Sequence, residues 1–240
     1  MTMYVSYILY FIYIFIHIKA QDVEIVSNAL ENVDVTFKLI EEDLEIVKYK
    51  ILKSKENKVN IKLFYECLCP DCRQFDSKQF KNVIEKLTPY LKIHTYPYGN
   101  AKMVHNNDQI EFKCQHGPKE CYGNKLHACT LNLLNNATTA LLFNICMMDL
   151  DDTSGGSNDP AADACGIKLK IDAEPIKDCA KSEKGNELLE SYGIESEKIH
   201  YEYVPYVLIN GDEWTGDNFM KDVCAAFSIP PPPCAGEKNK

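Results

Sequence analysis

The chain has 240 residues, 45% of them hydrophobic and 25% charged, a balance that excludes a wholly disordered chain, a collagen-like repeat and a coiled coil. Lys and Arg number 26 against 35 Asp and Glu, for a net charge of −9, so the electrostatic footprint of a nucleic-acid binder is missing. Eleven cysteines point to an oxidising compartment, or to metal.

Residues 1–18 carry no charged side chain and are followed by Lys19-Ala20-Gln21. This pattern predicts a secretory signal peptide over 1–20, with an uncleaved signal anchor as the rival; after cleavage no stable membrane insertion is expected. Residues 21–57 are charge-rich and read as an N-terminal extension or pro-segment, with one strand candidate at Ile46–Leu52. Val59, Ile61, Leu63 and Tyr65 then alternate with Asn60, Lys62 and Phe64, predicting a strand. Cys67-Leu68-Cys69-Pro70-Asp71-Cys72 follows, and Phe80, Val83, Ile84 and Leu87 recur at helix spacing until Pro89. Leu91, Ile93 and Thr95 predict the next strand. A Cys-x-x-Cys at the helix start of such a βαβ unit is the pattern of a thioredoxin-like redox site.

Residues 114–190 read as mainly helical and hold six cysteines. Residues 151–160, with Gly155-Gly156, read as an exposed loop. Tyr203–Ile209 predicts a strand, Asn210-Gly211 a type I′ hairpin turn, and Asp217–Phe227 a last helix. The Pro230–Pro233 tail is expected to be non-helical, and residues 235–240 form a terminal tail. Asn136-Ala137-Thr138 is the single N-glycosylation sequon.

Two thiols at this spacing on a helix N-terminus can exchange with a disulfide. The first points outward, its thiolate stabilised by unpaired backbone N–H groups and the helix dipole; the second resolves the mixed disulfide. By this logic Cys69 is the nucleophile and Cys72 the resolver. Pro70 suits the first helical turn, Arg73 adds positive potential, and the Asp71 carboxylate opposes the thiolate. A structural disulfide and a zinc site remain alternatives here, although the other cysteines lie seven or more residues apart and zinc favours a second tight pair. Cys67 reads as a buried free thiol, with an alternative resolver or a distant partner left open. The remaining eight, Cys114, Cys121, Cys129, Cys146, Cys165, Cys179, Cys224 and Cys234, could form four disulfides. Cys224–Cys234 is the one suggested pairing, because the proline-rich segment folds back onto the last helix. Thioredoxin-like sites also place a cis-proline loop opposite the Cys-x-x-Cys, and Val204-Pro205 stands at that place in chain order.

The run Cys114-Gln115-His116-Gly117, two residues, Glu120-Cys121, two residues, Asn124, four residues, Cys129 resembles the signature of the gamma-interferon-inducible lysosomal thiol reductase (GILT) family at every fixed position. Tyr65-Glu66 before the Cys-x-x-Cys, Pro97-Tyr98-Gly99-Asn100-Ala101, and Tyr203-Val204-Pro205 with Asn210-Gly211 also look like the family, over about residues 59–234. Cys67 and Tyr206 depart from it, where family members usually carry a small residue and a Trp.

The resemblance implies an α/β, thioredoxin-like fold with a disulfide-rich, mainly helical insertion (about 114–190) within a thiol reductase domain at 58–234. It implies reduction of protein disulfides in endosomes, lysosomes or secreted settings. Disulfide-containing proteins would be the substrates and a small thiol the reductant, with no metal or organic cofactor required. The signature residues read as a disulfide-stapled scaffold, with direct catalysis by His116 as the alternative. Acidic operation makes a demand: an ordinary thiol at pH about 5 is roughly 0.03% thiolate, so Cys69 is expected to be strongly acidified, with a pKa near ~5. Two other readings stay open. One is a neutral-pH oxidase or isomerase, separable by reduction potential; the other is a secreted binding or immune-modulating protein that uses the fold as a scaffold.

Overall fold

The computed structural model describes residues 58–106, 109–149 and 156–236, with a few isolated positions before residue 45. The expected cleavage site after Ala20, the strand at 46–52 and the last four residues lie outside the described residues.

β1 (Val59–Tyr65) reproduces the alternation in the sequence. Val59, Ile61 and Leu63 are buried, and Asn60 and Lys62 are half-buried. Phe64 is buried on the second face, stacked on Tyr96 with ring centroids 4.5 Å apart. The crossover is one helical run: α1 (Pro70–Phe75), a single wide π turn (Asp76–Phe80) and α2 (Lys81–Leu87). Pro70 sits in the first turn, where a missing N–H is tolerated. Phe80, Val83, Ile84 and Leu87 form the buried stripe, and a 3-10 turn at Thr88–Tyr90 ends the run at Pro89. β2 (Leu91–Pro97) returns parallel to β1 in the register Val59↔Leu91 to Tyr65↔Pro97.

A two-stranded hairpin, β3 (Lys102–Asn106) and β4 (Gln109–Lys113), follows; the sequence pattern predicts no counterpart to it. Five helices come next: α3 (Pro118–Leu133), α4 (Ala137–Asp149), α5 (Asp159–Leu169), α6 (Glu174–Lys181) and α7 (Glu183–Glu197). The helical region thus runs past the expected end near residue 190. It has its own core of Leu126, Phe143, Met147, Ala162 and Ile176. Cys129–Cys179 ties α3 to α6, and Cys146–Cys165 ties α4 to α5. Exposed Asn136 caps α4, its Oδ1 accepting the Thr139 N–H at 3.0 Å.

The chain then re-enters the sheet. β5 (Tyr206–Ile209) pairs antiparallel with β1 and with β6 (Asp212–Glu213), giving the order β2-β1-β5-β6. β5 starts after Pro205, which has no N–H to give to a ladder, so the expected strand from residue 203 is shorter. Asn210 and Gly211 have φ of 54° and 99°, the two positive values a type I′ turn requires. α8 (Phe219–Ala225) is capped by Asn218 Oδ1 on the Lys221 N–H at 3.0 Å. Phe219 meets Phe75 and Trp214 edge-on, with centroids 5.1 and 5.0 Å apart. The tail differs from expectation: Pro232–Cys234 makes one 3-10 turn, with the prolines in its first positions, and this turn brings Cys234 into a disulfide with Cys224.

A parallel β-α-β unit joined through an insertion to a hairpin and a final helix is the thioredoxin-like arrangement. Among the described residues, no helix is long and apolar enough to cross a membrane.

Candidate active site

Cys69 is the N-cap of α1, and Pro70 and Asp71 are exposed beside it. The Val204–Pro205 peptide bond is cis. It lies against the same helix end, with the Val204 carbonyl oxygen 3.8 Å from Cys69 Sγ. Cys69 is therefore only 8% exposed. This corrects the expectation of an outward-pointing first thiol: the Val204-Pro205 loop covers part of it. A hydrogen bond from the Cys72 thiol, joined by the backbone N–H groups of Cys72 and Asp71, lowers the Cys69 pKa to about 6 against burial and the Asp71 carboxylate. The thiol is thus acidified, as expected, in spite of those two opposing influences.

Cys72 has no exposed surface. Burial pushes its thiol far up, and its neighbours Cys69 and Asp76 push the same way. Asp76 lies one turn on, at the start of the π turn, where its backbone N–H bonds the Cys72 carbonyl. It is buried, its Oδ1 accepts no hydrogen bond, and burial raises its pKa well above the usual carboxylate range. Cys67 is a free, fully buried thiol near the Glu120 carbonyl oxygen (3.6 Å), also pushed up by burial. Of the three free cysteines, only Cys69 is poised to ionise.

The signature segment packs directly under this turn. Asn124 Oδ1 accepts the Cys67 N–H at 3.0 Å. Gln115 Oε1 accepts from Asn100 Nδ2 at 2.6 Å. Glu120 accepts the His116 backbone N–H at 3.0 Å and meets His116 Nδ1 at 2.6 Å. Cys114–Cys121 closes the segment, and Gly117 leads into α3. Cys129 lies farther along α3 in its bridge to Cys179. Glu66, three residues before Cys69, is fully buried, and its Oε2 accepts the Asn100 N–H at 2.8 Å. Burial raises its pKa to about 7, against that hydrogen bond and with Glu120 adding to the rise. Gly99, at φ +60°, permits the close turn: a Cβ there would stand 2.3 Å from Glu66 Oε2.

The sequence-predicted residues therefore converge, except that Cys129 and Asn136 stand apart as a staple and a helix cap. Sequence pattern alone assigns no role to Glu66, Asn100, Asp76 or His127. His127 is fully buried between the Tyr65 hydroxyl (2.8 Å from Nδ1) and Ser157 Oγ (3.0 Å from Nε2), and burial lowers its pKa to about 3. Glu66 and Asn100 lie in segments that carry the family resemblance, which is the available signal. Asp76 has none, because an Asp in a helix usually faces water.

The family model for gamma interferon inducible lysosomal thiol reductase (GILT) matches residues 60–168. The gamma-interferon-inducible lysosomal thiol reductase of Carassius auratus is 31% identical over 182 residues, covering 74% of this chain and 69% of its own. GILT-like protein 2 of Drosophila melanogaster is 33% identical over 156 residues, covering 64% and 70%. The chain belongs to the GILT family. A further GILT relative, the gamma-interferon-inducible lysosomal thiol reductase-like protein of Anopheles gambiae, is 31% identical over 162 residues and is covered over 66% of its length, so the chain spans about two thirds of these relatives. Among solved structures, DsbA from Mycobacterium tuberculosis (reduced) aligns with a TM-score of 0.49 at 15% identity, over 70% of this chain and 80% of that one. The GILT signature here is a stapled loop and helix start that buttresses the Cys67–Cys69 turn, and His116 faces Glu120 within it.

Proposed function

We propose that this chain is a thiol reductase that opens disulfide bonds in protein substrates, in acidic endosomal or lysosomal settings or after secretion. The observation that carries the reading is the contrast between the two thiols: Cys69 acidified at a helix N-terminus, and Cys72 buried and held protonated. The Cys69 thiolate attacks one sulfur of the substrate disulfide, which expels one substrate thiolate and leaves a mixed disulfide. Cys72 loses its proton and attacks Cys69 Sγ, releasing the second substrate thiol and leaving a Cys69–Cys72 disulfide. Two equivalents of a small thiol such as cysteine or glutathione restore the pair. Pro205 shapes the wall against which the substrate strand lies. The signature residues position the turn. Residues 1–20 act as signal peptide, 21–57 as a removable segment and 58–234 as the reductase domain, and Asn136 carries a glycan.

At pH 5 a thiol of pKa about 6 is roughly a tenth ionised, about 300 times the fraction of an ordinary cysteine. A disulfide-reduction assay on the purified protein at pH about 5 and about 7 tests the reading. Activity at the acidic pH, abolished by Cys69→Ser and by Cys72→Ser under turnover, is expected. No reduction at either pH, with the cysteines verified as reduced, overturns it.

A further inference from the structure

Two buried carboxylates and an imidazole converge beside the Cys67–Cys69 turn, and disulfide exchange uses none of them. Glu66 and Glu120 have no exposed surface. His116 closes the third side from the surface, its side chain a third exposed. One oxygen or nitrogen of each residue lies within 4.8 Å of the others. His116 Nδ1 is 2.6 Å from Glu120 Oε2 and 3.4 Å from Glu66 Oε1.

Carboxylates held together away from water need a positive partner. Glu120 is served by the backbone N–H and the ring of His116. Glu66 has a hydrogen bond on one side only. Its Oε2 accepts the Asn100 N–H, whereas its Oε1 accepts no hydrogen bond although it is buried and turned toward the imidazole. This oxygen without a hydrogen bond, a second carboxylate and the ring nitrogen that faces both are a ready set of donors around one point.

We propose that Glu66, His116 and Glu120 form a binding site for one divalent cation of the Zn2+ or Mn2+ class, entered from the surface past His116. Two carboxylate oxygens and an imidazole nitrogen suit such ions, and leave coordination positions open for water. Bonds of about 2.0–2.2 Å in a tetrahedron place neighbouring donors about 3.4 Å apart. Glu66 Oε1 and His116 Nδ1 already stand at 3.4 Å; the shorter contact to Glu120 opens by rotation of a partly exposed ring. The rest is fixed in advance. The Gly99–Asn100 turn holds Glu66, α3 holds Glu120, and Cys114–Cys121 braces the loop that carries His116. The neutral imidazole binds through Nδ1 and keeps its proton on Nε2. The redox cysteines are not among the ligands, so ion binding does not depend on the proposed reductase chemistry, although the same residues pack under the reactive turn.

The test is a calorimetric titration of the purified Cys69→Ser/Cys72→Ser protein with Zn2+ at neutral pH, so that the redox thiols cannot bind the ion. One Zn2+ per chain is expected, with affinity reduced tenfold or more by Glu66→Gln and by His116→Ala. His116 is at the surface, so its variant decides the question even where the buried Glu66 variant misfolds. In the unmutated protein, Mn2+ should broaden first the amide NMR signals of Glu66, Asn100, His116 and Glu120. Absence of Zn2+ binding up to about 100 μM, binding undiminished in His116→Ala, or Mn2+ broadening centred elsewhere overturns the proposal.

Discussion

Cys69 Sγ stands 3.8 Å from the carbonyl oxygen of Val204, which brings residues 135 positions apart in the chain together at the candidate redox site. The contact covers the thiol without removing its access to the helix N-terminus. The electrostatics follow: Cys72 and the backbone N–H groups favour the thiolate, and burial and Asp71 oppose it.

The rate of Cys69 alkylation by iodoacetamide should therefore rise with pH around a midpoint of about 6, where an ordinary thiol rises near 8.5. Asp71→Asn removes an opposing charge and should move the midpoint further down. A midpoint near 8 in the unmutated protein would contradict the account, as would an upward move in the variant.

Asp76 predicts a pH dependence of stability. Its carboxyl is neutral in the fold well above the pH at which an unfolded Asp ionises, near 3.9. Its contribution is fully present below that pH and is lost as pH rises toward the elevated folded value. Urea unfolding from pH 4 to pH 7 should show the unmutated protein losing stability relative to Asp76→Asn, which has no proton to lose. Parallel curves for the two proteins would show that the buried carboxyl plays no such part.

How much of this is legible in the sequence depends on the range of the interaction. The βαβ unit, the Asn210-Gly211 turn and the Cys224–Cys234 bridge are local, and periodicity or spacing reveals them. The β3–β4 hairpin escapes because each strand has only five residues and the adjacent Met103 and Val104 break the alternation of the first, although Gln109–Lys113 alternates. The partial burial of Cys69 is hidden because it depends on Val204, which reaches the site only through the tertiary fold. Glu66 is hidden for the same reason: nothing local tells a Glu after a strand that Gly99, Asn100 and Glu120 will enclose it. The motif locates the reactive pair and also holds the groups that favour the Cys69 thiolate; the burial that opposes them comes from the tertiary fold.

The disulfides should contribute unequally. Cys129–Cys179 closes a loop with a sequence separation of 50, and Cys114–Cys121 one of 7. Chain entropy alone gives about 4 kcal/mol for the first and about 2.5 kcal/mol for the second. Replacing each pair with Ser and measuring chemical unfolding should rank them in that order. The Cys114/Cys121 variant should also lose reductase activity beyond its loss of stability, because that bridge braces the residues under the reactive turn.

The most direct test of the central claim is to trap the mixed disulfide. Cys72→Ser protein, mixed at pH about 5 with a disulfide-containing polypeptide, should accumulate a covalent adduct that peptide mapping places on Cys69. An adduct on Cys67, or none on any of the free cysteines while the substrate is still reduced, would contradict the assignment of Cys69 as the attacking thiol.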